Sequence, residues 1–228
     1  MRVRAIIPSA GSGRRMSNKR DDKPFLELKN RPLIFYALSS LEKSGLVDDV
    51  ILVVKEKYIR EAQQAVDKYG LKKVTGIVPG GATRTKSVAN GLKKIKAADD
   101  DIILIHDGAR PFLTEKSIRS VVDEARRSGA AILGIPCTST VKKVAGGGII
   151  EGTVDRSAFW EAQTPQAFRY GIIRKAYERF EESDATDDSS FVERLGAEVR
   201  IVPGDKKNIK VTVPEDLALA EAILDIES

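Results

Sequence analysis

Val3-Arg4-Ala5-Ile6-Ile7-Pro8-Ser9-Ala10-Gly11-Ser12-Gly13-Arg14-Arg15-Met16 decides the fold. Val3 to Ile7 is a short apolar run that reads as a buried strand. It empties into a glycine- and arginine-rich loop running from Pro8 to Lys23. The remainder of the chain places that strand in a sheet.

Short apolar runs alternate with longer amphipathic segments. Pro32 to Ser44 reads as a helix with proline in its first turn and Gly45 past its end. Val50 to Val54 is a continuous apolar run, β-branched except at Leu52, as a parallel strand covered on both faces should be. Tyr58 to Tyr69 is helical, Val74 to Val78 a strand and Thr85 to Ile95 a helix. Ile102 to Ile105 is a strand, Thr114 to Ser128 a helix capped by Thr114, and Ala131 to Ile135 a strand. This rhythm predicts an α/β fold: a mostly parallel sheet with helices on both faces. Ligands of such sheets lie at the carboxyl ends of the strands. The chemistry is therefore expected in the loops after Ile7, Val78 and Ile105.

The rhythm breaks after Pro136. Ser139 to Val144 and Ile149 to Val154 alternate like a hairpin across Ala145-Gly146-Gly147-Gly148. A hairpin leaving an α/β domain is only marginally stable alone, so a second subunit is its natural partner. Helices from Gly171 to Glu182 and Ser189 to Leu195, and a strand from Val199 to Val202, come next. Thr212-Val213-Pro214-Glu215 reads as a capping box opening the last helix. The whole, residues 1–228, reads as one domain with an arm at about 137–156.

Composition removes several classes. The 228 residues carry 38 Lys and Arg against 33 Asp and Glu, a net charge of +5, which suits small anionic ligands better than nucleic acid. One cysteine, Cys137, and one histidine, His106, exclude an intramolecular disulfide and a multi-histidine metal site. No apolar run approaches the roughly 20 residues that span a bilayer, and the first apolar stretch is too short for a signal peptide. A cytoplasmic protein is the expectation.

The first loop brings backbone N–H groups of Ala10, Gly11 and Gly13 within reach of an anion, and Arg15 and Lys23 add positive charge. It lacks the Gly-Lys-Ser/Thr ending of a P-loop and the third glycine of a dinucleotide fingerprint. Alone it reads equally well as a glycine turn before a solvated basic stretch. In the second loop, Gly80-Gly81 lets a base lie on the backbone and Ser87 offers it a hydrogen bond; Thr83 or Thr85 also reads simply as a helix cap. The third loop is His106-Asp107-Gly108-Ala109-Arg110-Pro111. A carboxylate at a parallel strand end beside a phosphate site is a natural magnesium ligand, and Asp107 is the candidate. His106 reads as a structural hydrogen-bonding residue, Arg110 as a loop brace paired with a carboxylate, and Cys137 as packing. Together the three loops describe a magnesium-dependent nucleotide site.

The run Ala10-Gly11-Ser12-Gly13-Arg14-Arg15-Met16 with Lys23 resembles the signature of the 2-C-methyl-D-erythritol 4-phosphate cytidylyltransferases of the non-mevalonate isoprenoid pathway. The resemblance continues through Gly80-Gly81 with Arg84 and Ser87, then His106 to Pro111, Thr153-Val154-Asp155-Arg156, Thr164-Pro165-Gln166, Thr186-Asp187 and Asn208-Ile209-Lys210-Val211-Thr212. It spans nearly the whole chain in order. It implies a Rossmann-like domain whose protruding β-arm clasps a partner in a homodimer, and transfer of CMP from CTP to methylerythritol phosphate with release of pyrophosphate. It implies that Arg15 and Lys23 stabilise the transition state. It implies that Gly80, Gly81 and Ser87 hold cytosine near the Ala10 backbone, and that Asp107 binds Mg2+. Arg156 and Lys210 would position methylerythritol phosphate in a pocket lined by Thr140, Thr164 and Thr186, with Thr140 and Arg156 reaching in from the partner. Ala82 stands where many members carry aspartate, 17–22 forms a slightly longer stretch, and Gly108 replaces alanine. Two readings compete: a ribitol 5-phosphate cytidylyltransferase of the same fold, and a nucleotide-binding module without catalysis.

Overall fold

A computed structural model describes residues 1–11, 25–183 and 185–227. The first strand is β1 (Val3–Pro8), and a two-residue ribbon, β2 (Glu27–Leu28) and β3 (Arg31–Pro32), leads into α1 (Leu33–Lys43). Next come β4 (Asp49–Val54), α2 (Ile59–Lys68), β5 (Val74–Pro79), α3 (Arg84–Lys94), β6 (Ile102–Ile105), α4 (Glu115–Ser128) and β7 (Ala130–Pro136). The hairpin is β8 (Val141–Val144) and β9 (Ile150–Val154). The chain ends with β10 (Trp160–Arg169), α5 (Tyr170–Phe180), α6 (Ser189–Arg194), β11 (Arg200–Pro203) and α7 (Pro214–Glu227).

Seven strands form one sheet in the order β11-β7-β10-β6-β1-β4-β5. All pairs are parallel except the two made by β10. The β-branched runs bury both faces because successive side chains point to opposite sides. Val50, Leu52 and Val54 join one core with Leu38 and Leu41 of α1, Val66 of α2 and Val121 of α4. Ile51 and Val53 join the other with Val88 and Leu92 of α3, Ile173 of α5 and Phe191 of α6. Thr114 caps α4 by accepting from the Ser117 N–H at 3.1 Å, and Gly129 ends it with φ of 95°.

The topology places the site. From β1 the chain builds outward through β4 and β5, then returns to lay β6 on the other side of β1. The carboxyl ends of β1 and β6 thus flank the point where the winding reverses, where such sheets open a crevice. The long strand β10 was not expected from the sequence. Its middle, Gln163-Thr164-Pro165-Gln166, is polar and interrupted by proline, so neither apolar continuity nor alternation marks it. It nevertheless lies between β6 and β7, with a register shift against β7 between Gln163 and Gln166. Being antiparallel, it brings its first half to the same edge as the carboxyl ends of its neighbours.

The hairpin β8–β9 is a separate two-stranded sheet, and Gly147 and Gly148 turn it with φ of 77° and 83°. The expected capping box is replaced by another device. Asp216, not Glu215, is the anchor: its carboxylate accepts from the N–H groups of Thr212 (2.6 Å) and Val213 (3.0 Å) and from the Thr212 hydroxyl. Among the described residues no helix is long and apolar enough to cross a membrane.

Gly91 shows how closely α3 is packed on the sheet. A Cβ there would lie 2.7 Å from Cγ2 of Ile6 and 3.3 Å from Cγ2 of Val53. Alanine gains about 1 kcal/mol over glycine inside a helix, whereas overpacking costs about 1–3 kcal/mol. Gly91→Ala is expected to lower stability by about 1 kcal/mol and Gly91→Val by more. Urea unfolding should show a lower midpoint at unchanged slope; a midpoint at or above that of the parent protein contradicts the packing.

Candidate active site

The three loops meet. The Ser9 N–H donates to the Val53 carbonyl at 2.7 Å and the Gly80 N–H to the Val54 carbonyl at 2.8 Å, turning both exits over the end of β4. A Cβ on Gly80 would collide with that of Ala10, and one on Gly108 with the Ser9 hydroxyl. Glycine is what permits these approaches. Thr83 caps α3, accepting from the Lys86 N–H at 3.1 Å. Ser87 donates to the Thr83 carbonyl at 2.9 Å and accepts from the Gly81 N–H at 3.1 Å. The glycine pair is thereby fixed to the first turn of α3.

Asp107, just past β6, is 6% exposed. Its Oδ1 accepts from Nε of Arg84 at 3.0 Å and its Oδ2 pairs with Nζ of Lys210 at 2.6 Å. Burial alone would push this carboxyl up; Arg84 and Lys210 outweigh it and hold it well below the usual carboxylate range. Arg84 also reaches the fully buried Asp188 with its second arm at 2.7 Å. Burial works against the guanidinium charge, and the carboxylates of Asp188 and Asp107 more than restore it.

A neutral network braces this ion cluster. The Thr164 hydroxyl accepts from the Asp107 N–H at 3.0 Å and meets His106 Nδ1 at 3.1 Å, while His106 Nε2 meets the Arg110 carbonyl at 3.1 Å. A carbonyl only accepts, so Nε2 carries the proton and Nδ1 accepts from Thr164. Burial lowers the imidazole to about 4. His106 is a fully buried structural hub. Arg110 braces its loop through the Asn208 carbonyl at 2.6 Å, where the sequence reading expected a carboxylate. Asn208 in turn donates to the Thr164 carbonyl at 2.8 Å.

Four of the expected residues, Asp107, Thr164, Thr186 and Lys210, line one cleft of about 390 Å³ together with Arg84 and Arg110. Ala10 and Gly11 follow β1, Gly80 stands beside Ala10, and Ser87 lies against Gly80 and accepts from the Gly81 N–H. Thr140 and Arg156 sit exposed at the arm, where Arg156 donates to the Thr138 carbonyl. Gly13, Arg15 and Lys23 lie outside the described residues. Sequence reasoning gave Arg84 and Asp188 no role. Arg84 opens a helix directly after a glycine loop, and Asp187-Asp188 precedes another helix; those were the available signals.

A family model described as 2-C-methyl-D-erythritol 4-phosphate cytidylyltransferase matches residues 3–226. A curated protein of that description from Syntrophus aciditrophicus is 46% identical over 99% of this chain and 97% of its own length. One from Geotalea uraniireducens is 44% identical over 98% and 97%. Among solved structures, 4-diphosphocytidyl-2C-methyl-D-erythritol synthase from Anaerococcus prevotii superposes with a TM-score of 0.85 at 30% identity, covering 98% of this chain and 96% of that one. The 2-C-methyl-D-erythritol 4-phosphate cytidylyltransferase from Thermus thermophilus gives 0.79 at 32% identity, covering 99% and 100%.

The chain has one histidine, so its imidazole can be followed without assignment. Its folded pKa lies below the unfolded value of 6.5, so the stability it contributes is fully present above that pH and is lost as pH falls from 6.5 to about 4. The loss amounts to about 3 kcal/mol. The imidazole NMR signals should not titrate between about pH 8 and 5. A midpoint near 6.5 in the folded protein would contradict a buried neutral ring.

Proposed function

The chain belongs to the 2-C-methyl-D-erythritol 4-phosphate cytidylyltransferase family, and on that premise we propose how its residues carry the reaction. That reaction transfers CMP from CTP to 2-C-methyl-D-erythritol 4-phosphate and releases pyrophosphate. The observation that supports our assignment of roles is the gathering of Asp107, Arg84 and Lys210 at one sheet edge beside the glycine loops.

An oxygen of the acceptor phosphate attacks the α-phosphorus of CTP in line with the departing pyrophosphate. That phosphate is already ionised at neutral pH, so no general base is required. Two anions must approach while negative charge grows on the α-phosphate, so the protein supplies position and fixed positive charge. Arg15 and Lys23 stabilise the developing charge. Gly80, Gly81 and Ser87, with the backbone of Ala10, Gly11 and Gly13, hold the nucleotide and favour a pyrimidine by their narrow walls. The Lys210 ammonium has three donors; Asp107 takes one, leaving the others for the acceptor phosphate. Thr164 and Thr186 line the acceptor pocket.

Among the described residues no group of three metal-binding side chains occurs. Each Asp107 oxygen that accepts from a cation keeps a second lone pair, and Asp107 faces the cleft. These residues fit a magnesium ion delivered on the triphosphate, with Asp107 as its protein ligand, better than a caged resident ion. Bound there, magnesium would supply positive charge to neutralise phosphate oxygens.

The arm exposes Val144, Ile149 and Ile150 by 52%, 68% and 60%, apolar surface that a second copy of the chain would cover. We assign it to a homodimer in which Thr140 and Arg156 complete the partner's acceptor pocket. A CTP-dependent reaction and a single cysteine suit the cytoplasm.

Pyrophosphate release with CTP and magnesium should be faster with methylerythritol phosphate than with ribitol 5-phosphate, and weak with ATP or GTP; the reverse preference contradicts the acceptor assignment. Arg15→Ala or Lys23→Ala should lower turnover about a hundredfold with the fold intact. Turnover near that of the parent would reject the role. Arg156→Ala and Lys210→Ala, each nearly inactive alone, should recover about a quarter of full activity when unfolded and refolded together, because half the dimers are mixed and each holds one intact site. No recovery despite mixed dimers would place Arg156 in its own subunit's site.

A further inference from the structure

Behind the cleft, a chain of polar groups runs from Tyr177 and Asp188, to which the reaction gives no direct role, forward to Asp107 and Lys210. The Tyr177 hydroxyl, on α5, donates to Oδ1 of Asp188 at 2.5 Å. Oδ2 of Asp188 holds one arm of Arg84 at 2.7 Å, and the Arg84 Nε holds Oδ1 of Asp107 at 3.0 Å. Oδ2 of Asp107 is left to Lys210. Tyr177 is 3% exposed and Asp188 fully buried, so neither touches a bound substrate. Tyr177 also packs edge-on against Phe191 of α6, ring centroids 5.1 Å apart, so its hydroxyl is aimed by packing.

We propose that Tyr177 and Asp188 are positioning residues that hold Arg84 on one oxygen of Asp107 and so leave the other oxygen to Lys210, whose ammonium is thereby set for the acceptor phosphate. Arg84 has two carboxylates to serve and one planar fork. With Asp188 anchoring one arm, only the Nε side is offered to Asp107. Without that anchor the whole guanidinium can turn onto Asp107 and compete with Lys210 for it. Arg84 is always charged and its fork favours paired oxygens, so that competition is strong. The same segment carries Thr186, two residues before Asp188, which ties the acceptor wall to the relay. The hydrogen bonds that fix the nucleotide loop involve neither Asp188 nor Tyr177: Thr83 caps α3 and Ser87 accepts from the Gly81 N–H. The inference rests on the acceptor role given above to Lys210 and on its pairing with Asp107.

The test is steady-state kinetics on Tyr177→Phe and Asp188→Asn in the full-length enzyme, with CTP and methylerythritol phosphate varied separately. The parent's turnover of these substrates checks the underlying reaction first. Tyr177→Phe should raise the acceptor KM on the order of threefold and Asp188→Asn on the order of tenfold or more, with the KM for CTP within about twofold in both. Asp188→Glu, which restores the charge, should recover part of the loss. A purely structural role would move both KM values and the melting temperature together. The proposal is overturned if acceptor KM is unchanged in Tyr177→Phe, or if the two KM values rise in parallel. Should Asp188→Asn fail to fold, Tyr177→Phe alone decides.

Discussion

A carboxylate buried at the end of a strand is the constraint on which the site depends. Asp107 is nearly closed off from solvent, and an isolated charge there would cost several kcal/mol. The chain meets that cost with two cations from far apart in sequence, Arg84 from the start of α3 and Lys210 from the segment after β11, while the Thr164 hydroxyl accepts from the Asp107 N–H and fixes the strand end that carries the carboxylate. Those bonds draw three remote stretches to one point. Removing either cation leaves an unbalanced buried charge behind, so the cluster orders its surroundings as a unit.

The sheet makes this convergence possible. Its winding reverses between β1 and β6, so the loops leaving those strands separate on the outside and leave a crevice between them. Strand β10 then runs against its neighbours and presents Gln163 to Gln166 at the same edge. Gln163 holds the backbone of Asp205 in both directions, donating at 2.8 Å and accepting at 3.2 Å, and so fixes the turn that leads to Lys210. A polar strand in the middle of a sheet thus connects the carboxylate to one of its cations.

Much of this was legible in the sequence, for physical reasons. Parallel strands covered on both faces need continuous apolar runs, and Val50 to Val54 and Ile102 to Ile105 announce themselves that way. Glycines where backbones nearly touch, Gly80 against Ala10 and Gly108 against Ser9, mark the loops that had to meet. What was hidden obeys no local period. The strand β10 is polar because its side chains serve the site. Arg84 and Asp188 pair across 104 positions, a relation no spacing rule contains. The cap of α7 moved by one residue because Asp216, unlike Glu215, reaches three donors at once.

The proposed mechanism turns on Asp107 holding Lys210 in place for the acceptor phosphate. The direct measurement is kcat/KM for methylerythritol phosphate in Asp107→Asn, which keeps the shape and removes the charge, alongside circular dichroism to verify the fold. The expected result is a folded protein whose kcat/KM falls about a hundredfold or more. A folded Asp107→Asn enzyme within about threefold of the parent would contradict that role.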